Sequence, residues 1–197
     1  MVRGTGLAVP LRVGVLGLQG AFREHLRALA ALGAQAALVR TAEEVKSQQA
    51  LIIPGGESTT IGRLMARRGL EEAIREHVRQ GKPLMGTCAG LIVMAREIEG
   101  EVQPGLKTID VCVRRNAFGR QIDSFEADLE VADMTGGPFR GVFIRSPWVT
   151  SVGEGVQVLA TYEGKIVAVR QASQLGLAFH PELTDDPRFH QLFLSLA

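Results

Sequence analysis

Short apolar runs alternate with segments of helical periodicity through the first half of the chain. Apolar residues spaced three and four apart predict a helix, whereas a short apolar run bounded by turn residues predicts a buried strand. This alternation is typical of a parallel sheet built from βαβ units. The strands predicted here are 12–18, 36–39, 51–53 and 83–85. The helices predicted here are 21–32, a short one opened by a capping box at Thr41, one from Ser58 or Thr59 towards Arg68, 70–80 and 89–98.

After Gly100 the pattern changes to short strands joined by turns, and Glu163-Gly164 is typical of a hairpin tip. A helix is predicted over 188–196. We therefore predict a single α/β domain over residues 1–197: a doubly wound, mostly parallel sheet with an antiparallel extension, in which the first dozen residues form a short extension. The strands predicted in this half are 111–114, 127–131, 142–144, 156–162, 165–171 and 175–179.

Composition and charge narrow the class of protein. Apolar residues make up 46% of the 197 residues, and 22 basic residues against 21 acidic ones leave a net charge of +1. No basic block suggests a nucleic-acid or anionic-membrane surface, and no run reaches the roughly 18 apolar residues of a bilayer span. The two cysteines, Cys88 and Cys112, fit neither a disulfide framework nor a zinc site. We expect no metal, no cofactor and a reducing, cytoplasmic setting.

The segment Gly86-Thr87-Cys88-Ala89-Gly90 joins a predicted strand to a predicted helix. This G-x-C-x-G pattern places a nucleophile on a tight turn, as G-x-S-x-G does in hydrolases. A thiol at the start of a helix is also favoured as the thiolate, which is the attacking species. The alternative is a buried structural cysteine beside closely packed glycines.

His180-Pro181-Glu182 follows the predicted strand 175–179. In an extended chain, residues two apart face the same side, so the imidazole and the carboxylate can meet. A carboxylate bonded to one ring nitrogen leaves the other nitrogen free to exchange protons with a thiol. Taken alone, the tripeptide at a strand end is more often an ordinary turn. It gains weight from Cys88, because a nucleophile needs a base and the base needs an orienting group.

Pro54-Gly55-Gly56-Glu57-Ser58 follows the predicted strand 51–53. Two consecutive glycines allow their N–H groups to turn towards a pocket, where they can stabilise an oxyanion. The alternative is a plain turn into the next helix. All three segments follow predicted parallel strands, and doubly wound sheets place their sites at the carboxyl ends of such strands.

These segments resemble the class I glutamine amidotransferases, which carry a Cys in G-x-C-x-G and a later His-x-Glu. Within that superfamily the chain is most similar to the glutaminase subunits of pyridoxal 5′-phosphate synthase, from about Val13 to the end. The matching stretches are Gly14-Val15-Leu16-Gly17-Leu18-Gln19-Gly20, Pro54-Gly55-Gly56-Glu57-Ser58-Thr59-Thr60, Gly86-Thr87-Cys88-Ala89-Gly90-Leu91, Arg115-Asn116-Ala117-Phe118-Gly119-Arg120-Gln121, Gly141-Val142-Phe143-Ile144-Arg145 and Phe179-His180-Pro181-Glu182-Leu183.

The resemblance implies a role for each matching residue. Cys88 would be the nucleophile, His180 the base and acid, and Glu182 the residue that orients His180. L-glutamine would be the substrate, and a synthase subunit would be the partner that receives ammonia for pyridoxal 5′-phosphate and stimulates a weak basal activity. The glutamine pocket would be lined by Gly56, Glu57, Ser58, Arg115, Ile144 and Arg145, with N–H groups of Gly56 and Ala89 as oxyanion donors.

Several alternatives remain open from the sequence. The chain could serve another synthase, such as the one that makes imidazole glycerol phosphate. It could instead be a binding or redox-sensing module that uses Cys88 as a reactive thiol, or a cysteine peptidase. Residues 101–110 do not match the family and are expected to form a variable loop. His25, His77 and His190 lie on helical patterns among polar residues and are assigned no role.

Overall fold

The computed structural model describes residues 10–115 and 124–197. The first half contains β1 (Arg12–Leu16), α1 (Phe22–Ala31), β2 (Gln35–Val39), α2 (Ala42–Lys46), β3 (Ala50–Ile53), α3 (Ser58–Arg67), α4 (Leu70–Arg79), β4 (Leu84–Thr87), α5 (Ala89–Met94) and β5 (Ala95–Ile98). The second half contains β6 (Ile109–Arg114), β7 (Ser124–Leu129), β8 (Phe139–Ile144), β9 (Trp148–Val152), β10 (Val156–Tyr162), β11 (Lys165–Gln171), β12 (Gln174–Leu177), a 3₁₀ helix (Pro181–Leu183) and α6 (Arg188–Leu194).

Five strands in the order β2-β1-β3-β4-β12 form the parallel part of the main sheet. Every residue of β3 and β4 is buried, as expected where both faces of a parallel sheet are covered. Strands β2 and β3 lie on opposite sides of β1. The crossover from β1 to β2 and the one from β2 to β3 therefore run in opposite directions across the sheet. Because βαβ crossovers are right-handed, their helices lie on opposite faces of the sheet. The predicted doubly wound sheet is confirmed.

The main sheet continues from β12 through β11, β9, β6 and β5, with β10 beside β11. Strands β12, β11, β9 and β6 pair antiparallel, which confirms the predicted extension. Strand β9 was not predicted. Strands β7 and β8 form a separate antiparallel hairpin. In the described part of the chain, no helix is long and apolar enough to cross a bilayer.

The helix predicted over 89–98 is wrong in its last four residues, which form strand β5. The carbonyl groups of Val93 and Met94 accept hydrogen bonds from the N–H groups of Leu106 (2.8 Å) and Thr108 (2.9 Å). Because these carbonyls are occupied by the returning chain, the helical ladder ends there. Ala95 then takes an extended conformation and pairs with β6.

N-terminal caps were predicted for helices α2 and α3, and only the first has the predicted capping residue. At Thr41 the capping box is present, since its hydroxyl accepts from the N–H of Glu44 (3.2 Å) and the Glu44 carboxylate accepts from the N–H of Thr41 (3.0 Å). Helix α3 is capped by Glu57 and not by Ser58 or Thr59. Its carboxylate is long enough to span from the extended N-cap position to two N–H groups of the first turn, at 3.2 and 2.8 Å.

A cluster of buried aromatic rings holds the segment that leads into His180. Phe179 packs on Phe189 of α6 with ring centroids 5.2 Å apart, and on Phe143 of β8 at 5.5 Å. The N–H of His180 donates to the carbonyl of Val142 at 2.8 Å. The chain after β12 is therefore fixed between α6 and the β7–β8 hairpin.

Candidate active site

Three loops meet at the carboxyl edge of the parallel sheet. Strand β4 pairs with β3 on one side and with β12 on the other. The loop after β4 begins with Cys88, the loop after β3 carries Gly55 and Gly56, and the loop after β12 carries His180. The sheet order thus brings together the three segments that the sequence singled out, with the cysteine in the middle.

Cys88 has a backbone conformation that side-chain-bearing residues rarely adopt, with φ 49° and ψ −104°. Its N–H donates to the carbonyl of Leu177 at 2.8 Å, and its sulfur lies 3.7 Å from the carbonyl oxygen of Ile144. The flanking glycines are required by space. A Cβ on Gly86 would lie 2.5 Å from the sulfur of Met94, and one on Gly90 would overlap the backbone of β3.

The imidazole of His180 connects the thiol to a buried carboxylate. Its Nδ1 lies 2.7 Å from Oε1 of Glu182, whose side chain is fully buried. Burial lowers the pKa of His180, but hydrogen bonds to Cys88 and Glu182 outweigh it and raise the pKa to about 10. Burial raises the pKa of Glu182, yet the imidazoles of His25 and His180 hold it below its usual value. An imidazolium between two acidic groups is the favoured charge state.

The expected extended geometry of the His180–Glu182 segment is wrong, although the contact it was meant to explain is present. Residues 181–183 form a 3₁₀ helix with Pro181 at its first position. Proline suits the first turn because it has no N–H to satisfy there. The carboxylate therefore reaches the imidazole by the turn of a helix and not along a strand.

The Gly55-Gly56 loop is fixed on both sides. The N–H of Gly55 donates to the Thr87 hydroxyl (3.1 Å), and its carbonyl accepts from the N–H of Ala21 (3.1 Å). A Cβ on Gly56 would lie 2.5 Å from the side-chain oxygen of Gln19, which accepts from the N–H of Glu57 (2.7 Å). Only glycine fits this close approach between the loop, Gln19 and the His180 ring.

A cavity of about 300 Å³ opens above Cys88. It is large enough for a small amino acid, and charged side chains are among its lining residues. Glu182 lies behind His180, outside the lining. Gln19 and Ile92 also face the cavity, although the sequence assigned them no role. The predicted site residues that line it are Gly56, Glu57, Ser58, Cys88, Ala89, Arg115, Ile144, Arg145 and His180.

Two carboxylates hold Arg115 at the cavity. Its guanidinium lies 2.6 Å from Glu101 and 3.4 Å from Glu57. Hydrogen bonds from Thr60 lower the pKa of Glu57, so it is a carboxylate. Residues 101–110, expected to be a variable loop, thus supply a partner for Arg115, and strand β6 already begins at Ile109. The rest of the Arg-Asn-x-Phe-Gly-Arg-Gln stretch, 116–121, lies outside the described residues.

Sequence reasoning missed the environment of His25. This side chain is fully buried, with Nε2 3.4 Å from Oε2 of Glu182 and Nδ1 3.0 Å from Nε2 of His190. The available signal was its position four residues before Leu29, on the buried face of α1. Within residues 10–115 and 124–197, no group of three or more His, Cys, Asp or Glu side chains is arranged to hold a metal ion.

Comparison with known proteins places this geometry among glutamine amidotransferases. The chain is 52% identical over 186 residues to a protein of Geobacillus kaustophilus named pyridoxal 5′-phosphate synthase subunit PdxT, covering 94% of each chain. It is 53% identical over 184 residues to the protein of that name from Pelotomaculum thermopropionicum, covering 93% of this chain and 94% of the other.

Solved structures agree with this placement. A crystal structure of a glutamine amidotransferase superposes with a TM-score of 0.89 at 53% identity, over 93% of this chain and 97% of that one. PurLQS from Thermotoga maritima, at 18% identity and a TM-score of 0.73 over 94% of this chain and 98% of that one, shares the fold. Residues 15–196 match the family described as the SNO glutamine amidotransferase family. The chain therefore belongs to the SNO glutamine amidotransferase family.

Proposed function

We propose that this chain hydrolyses L-glutamine to L-glutamate and ammonia, and that the ammonia passes to a synthase subunit that makes pyridoxal 5′-phosphate. The observation that carries the hydrolysis is the contact of Cys88 with His180, both of which line a cavity that an amino acid can enter, and of His180 with the buried carboxylate of Glu182 behind it. The name shared by the relatives at 52 and 53% identity supports the destination of the ammonia.

The charge state of the site suits nucleophilic attack on an amide. The thiolate of Cys88 attacks the side-chain carbonyl carbon of glutamine, and the C=O electron pair moves onto oxygen to form an oxyanion. As the tetrahedral intermediate collapses, the C–N bond breaks and the imidazolium of His180 donates its proton to the leaving nitrogen. Ammonia and a γ-glutamyl thioester result.

The same groups act in the second half of the reaction, but His180 now accepts a proton instead of donating one. His180, now neutral, takes a proton from water as the oxygen attacks the thioester carbon. The C–S bond then breaks, and glutamate and the thiolate are released. Glu182 stabilises the imidazolium that re-forms, because its carboxylate accepts the Nδ1–H at 2.7 Å.

The substrate roles follow from the charges at the cavity. Arg115 would bind the α-carboxylate of glutamine and Glu57 its ammonium group, since a zwitterion needs one group of each sign. Ser58, Ile144 and Arg145 would complete the pocket. The N–H groups of Gly56 and Ala89 would bind the oxyanion. Ala89 is the first residue of α5, where backbone N–H groups have no partner within the helix.

The partner synthase is proposed to stimulate the reaction. A glutaminase that turned over freely would waste glutamine whenever no acceptor for ammonia was present. We therefore expect weak activity from the isolated chain and a rise on addition of the synthase subunit of pyridoxal 5′-phosphate synthase. Synthase subunits of other amidotransferases should not stimulate it.

The decisive experiment measures ammonia release from glutamine with the synthase subunit present. Cys88→Ala should abolish turnover, whereas Cys112→Ala, which alters the other free cysteine on strand β6, should retain it. Equal activity of wild type and Cys88→Ala would refute the assignment of the nucleophile. Glutamine should also protect Cys88 from alkylation. A thiol sensor would show no such protection.

A further inference from the structure

The third residue of the proposed triad has a second partner. Oε1 of Glu182 is bonded to His180, but Oε2 is buried and makes no direct hydrogen bond among the described residues. The ring nitrogen Nε2 of His25 faces this oxygen at 3.4 Å. Burying a carboxylate oxygen without a donor costs free energy, so a nearby N–H group that faces this oxygen stabilises the folded site.

We infer that His25 is a positioning residue of the glutaminase site: its Nε2–H holds the free oxygen of Glu182 and thereby fixes the carboxylate against His180. The inference rests on the proposed function. His25 touches neither Cys88 nor the cavity, so it acts through Glu182.

The contacts of the ring determine which nitrogen carries the proton. If Nδ1 of His25 were protonated, Nε2 would turn a lone pair towards the carboxylate of Glu182, and His190 would have to bury its own N–H without a partner. With the proton on Nε2, His25 donates towards Glu182 and Thr87, and its Nδ1 accepts from His190 Nε2–H. This tautomer leaves only a lone pair of His190 unmatched, which costs less.

Burial keeps both histidines neutral. It lowers the pKa of His25, and it lowers that of His190 to about 4 with a smaller contribution from His25. A neutral ring can donate to Glu182 without adding a second positive charge. A second cation there would compete with the imidazolium of His180 for the carboxylate. The second histidine thus orients the carboxylate and leaves the charge pair between Glu182 and His180 intact.

His25 also joins the triad to the oxyanion loop. Its Nε2 lies 3.2 Å from the hydroxyl of Thr87, and that hydroxyl accepts the N–H of Gly55 at 3.1 Å. Thr87 immediately precedes Cys88. One buried ring therefore contacts both the carboxylate that orients His180 and the threonine that fixes the glycine loop. Thr87 is also held by its strand pairing with Leu177, so the effect of His25 on turnover is expected to act through Glu182.

Two substitutions separate this role from plain packing. Glutamine can place an amide N–H near the position of Nε2, whereas asparagine reaches only the position of Nδ1. His25→Asn should lower kcat about 10- to 100-fold, the range expected when a buried charged group loses the donor that faces it, and leave KM within about twofold. His25→Gln should retain more of kcat than His25→Asn.

The matched control is His77, another buried histidine, which bonds through Nε2 to the carbonyl of Pro83 and does not contact the triad. His77→Asn should lower the melting temperature as His25→Asn does, yet leave kcat unchanged. Turnover is measured with the synthase subunit present, and melting temperature by thermal unfolding of each full-length variant.

A double-mutant cycle supplies the test against a merely structural role. Because His25 acts through Glu182, His25→Asn should have no further effect on kcat, or on the rate of Cys88 alkylation by iodoacetamide, in a Glu182→Ala background. An undiminished effect there, or wild-type kcat in His25→Asn, would overturn the inference. Should His25→Asn fail to fold, the same cycle is run with His25→Gln. A loss of kcat that is present beside wild-type Glu182 and absent in the Glu182→Ala background supports the role, and wild-type kcat or an undiminished loss overturns it. Failure of the proposed function would be seen separately, as a wild-type protein that releases no ammonia.

Discussion

Gly55 sets how closely its loop approaches the imidazole of His180, the proposed general base. A Cβ at this position would be in hard contact with Cε1 of His180 and would lie 3.0 Å from its Nδ1. Carbon atoms pack comfortably at about 3.5 to 4.0 Å, so Gly55→Ala requires a shift of about 1 Å in the imidazole or in the loop. The backbone of Gly55 does not have positive φ, so alanine adds crowding without conformational strain.

The imidazole has little freedom to absorb that shift. Its Nδ1 is bonded to Glu182 at 2.7 Å, and the backbone N–H of His180 is bonded to Val142 at 2.8 Å. A misplacement of about 1 Å at a reacting group can cost about 100-fold, which corresponds to about 2.7 kcal/mol in activation free energy. We therefore expect Gly55→Ala to lower kcat/KM for glutamine by about that factor.

The assay is steady-state ammonia release with the synthase subunit present, together with the pH dependence of Cys88 alkylation, which reports the reactivity of the proposed nucleophile. Gly33→Ala is the control, because its φ of 78° strains alanine while the new Cβ meets nothing within 4 Å. It should lose about 1 to 2 kcal/mol of stability and no activity. A kcat/KM of Gly55→Ala within about twofold of wild type would show that the loop does not set the position of His180.

Three further measurements test other parts of the molecule. Arg115→Gln should raise KM for glutamine about 10- to 100-fold in ammonia-release kinetics through loss of a charged hydrogen bond, whereas Arg114→Gln at the exposed neighbour should change it less than twofold. The pKa of His180, raised to about 10 from 6.5, means that the folded state retains a proton that the unfolded chain releases. The stabilisation that His180 contributes is therefore fully present below about pH 6.5 and is lost as pH rises towards 10. Because Cys88→Ala removes one of the bonds that raise this pKa, the melting temperature should fall more steeply with pH for wild type than for Cys88→Ala. Parallel falls would contradict this. Thr41→Ala should cost about 1 kcal/mol in thermal unfolding and leave turnover unchanged, since it removes only a helix cap.

The parts of the site that could be predicted are those encoded locally. The turn at Cys88 needs small residues on both sides, and Gly86 and Gly90 supply them within five positions of sequence. The consecutive glycines Gly55 and Gly56 indicate a backbone that passes close to other groups. Buried parallel strands read as short apolar runs, and their carboxyl ends locate the site before any contact is known.

The parts that could not be predicted depend on contacts between distant segments. His25 becomes important only because the 3₁₀ helix at 181–183 turns Glu182 towards α1, and nothing near His25 in the sequence encodes that turn. Strand β5 exists because the chain at Leu106 and Thr108 returns to take the carbonyls of the preceding helix. Glu57, and not Ser58, caps α3, because its longer side chain reaches the N–H groups of the first turn. The sequence pattern alone does not show which of the two residues occupies the N-cap position.

The register between β4 and β12 is the last requirement for the site, and two glycines help to specify it. Gly86 and Gly176 lie opposite each other in the pairing of these strands. A Cβ on Gly176 would lie 2.6 Å from Leu91, and one on Gly86 would lie 2.5 Å from the sulfur of Met94, so these two side chains of α5 pack where the sheet has no side chains of its own. A slip of one residue would move His180 by about 3.3 Å along the strand and reverse the faces of β12. Such a shift exceeds the length of a hydrogen bond, so the packing of α5 on these glycines keeps the imidazole within reach of Cys88.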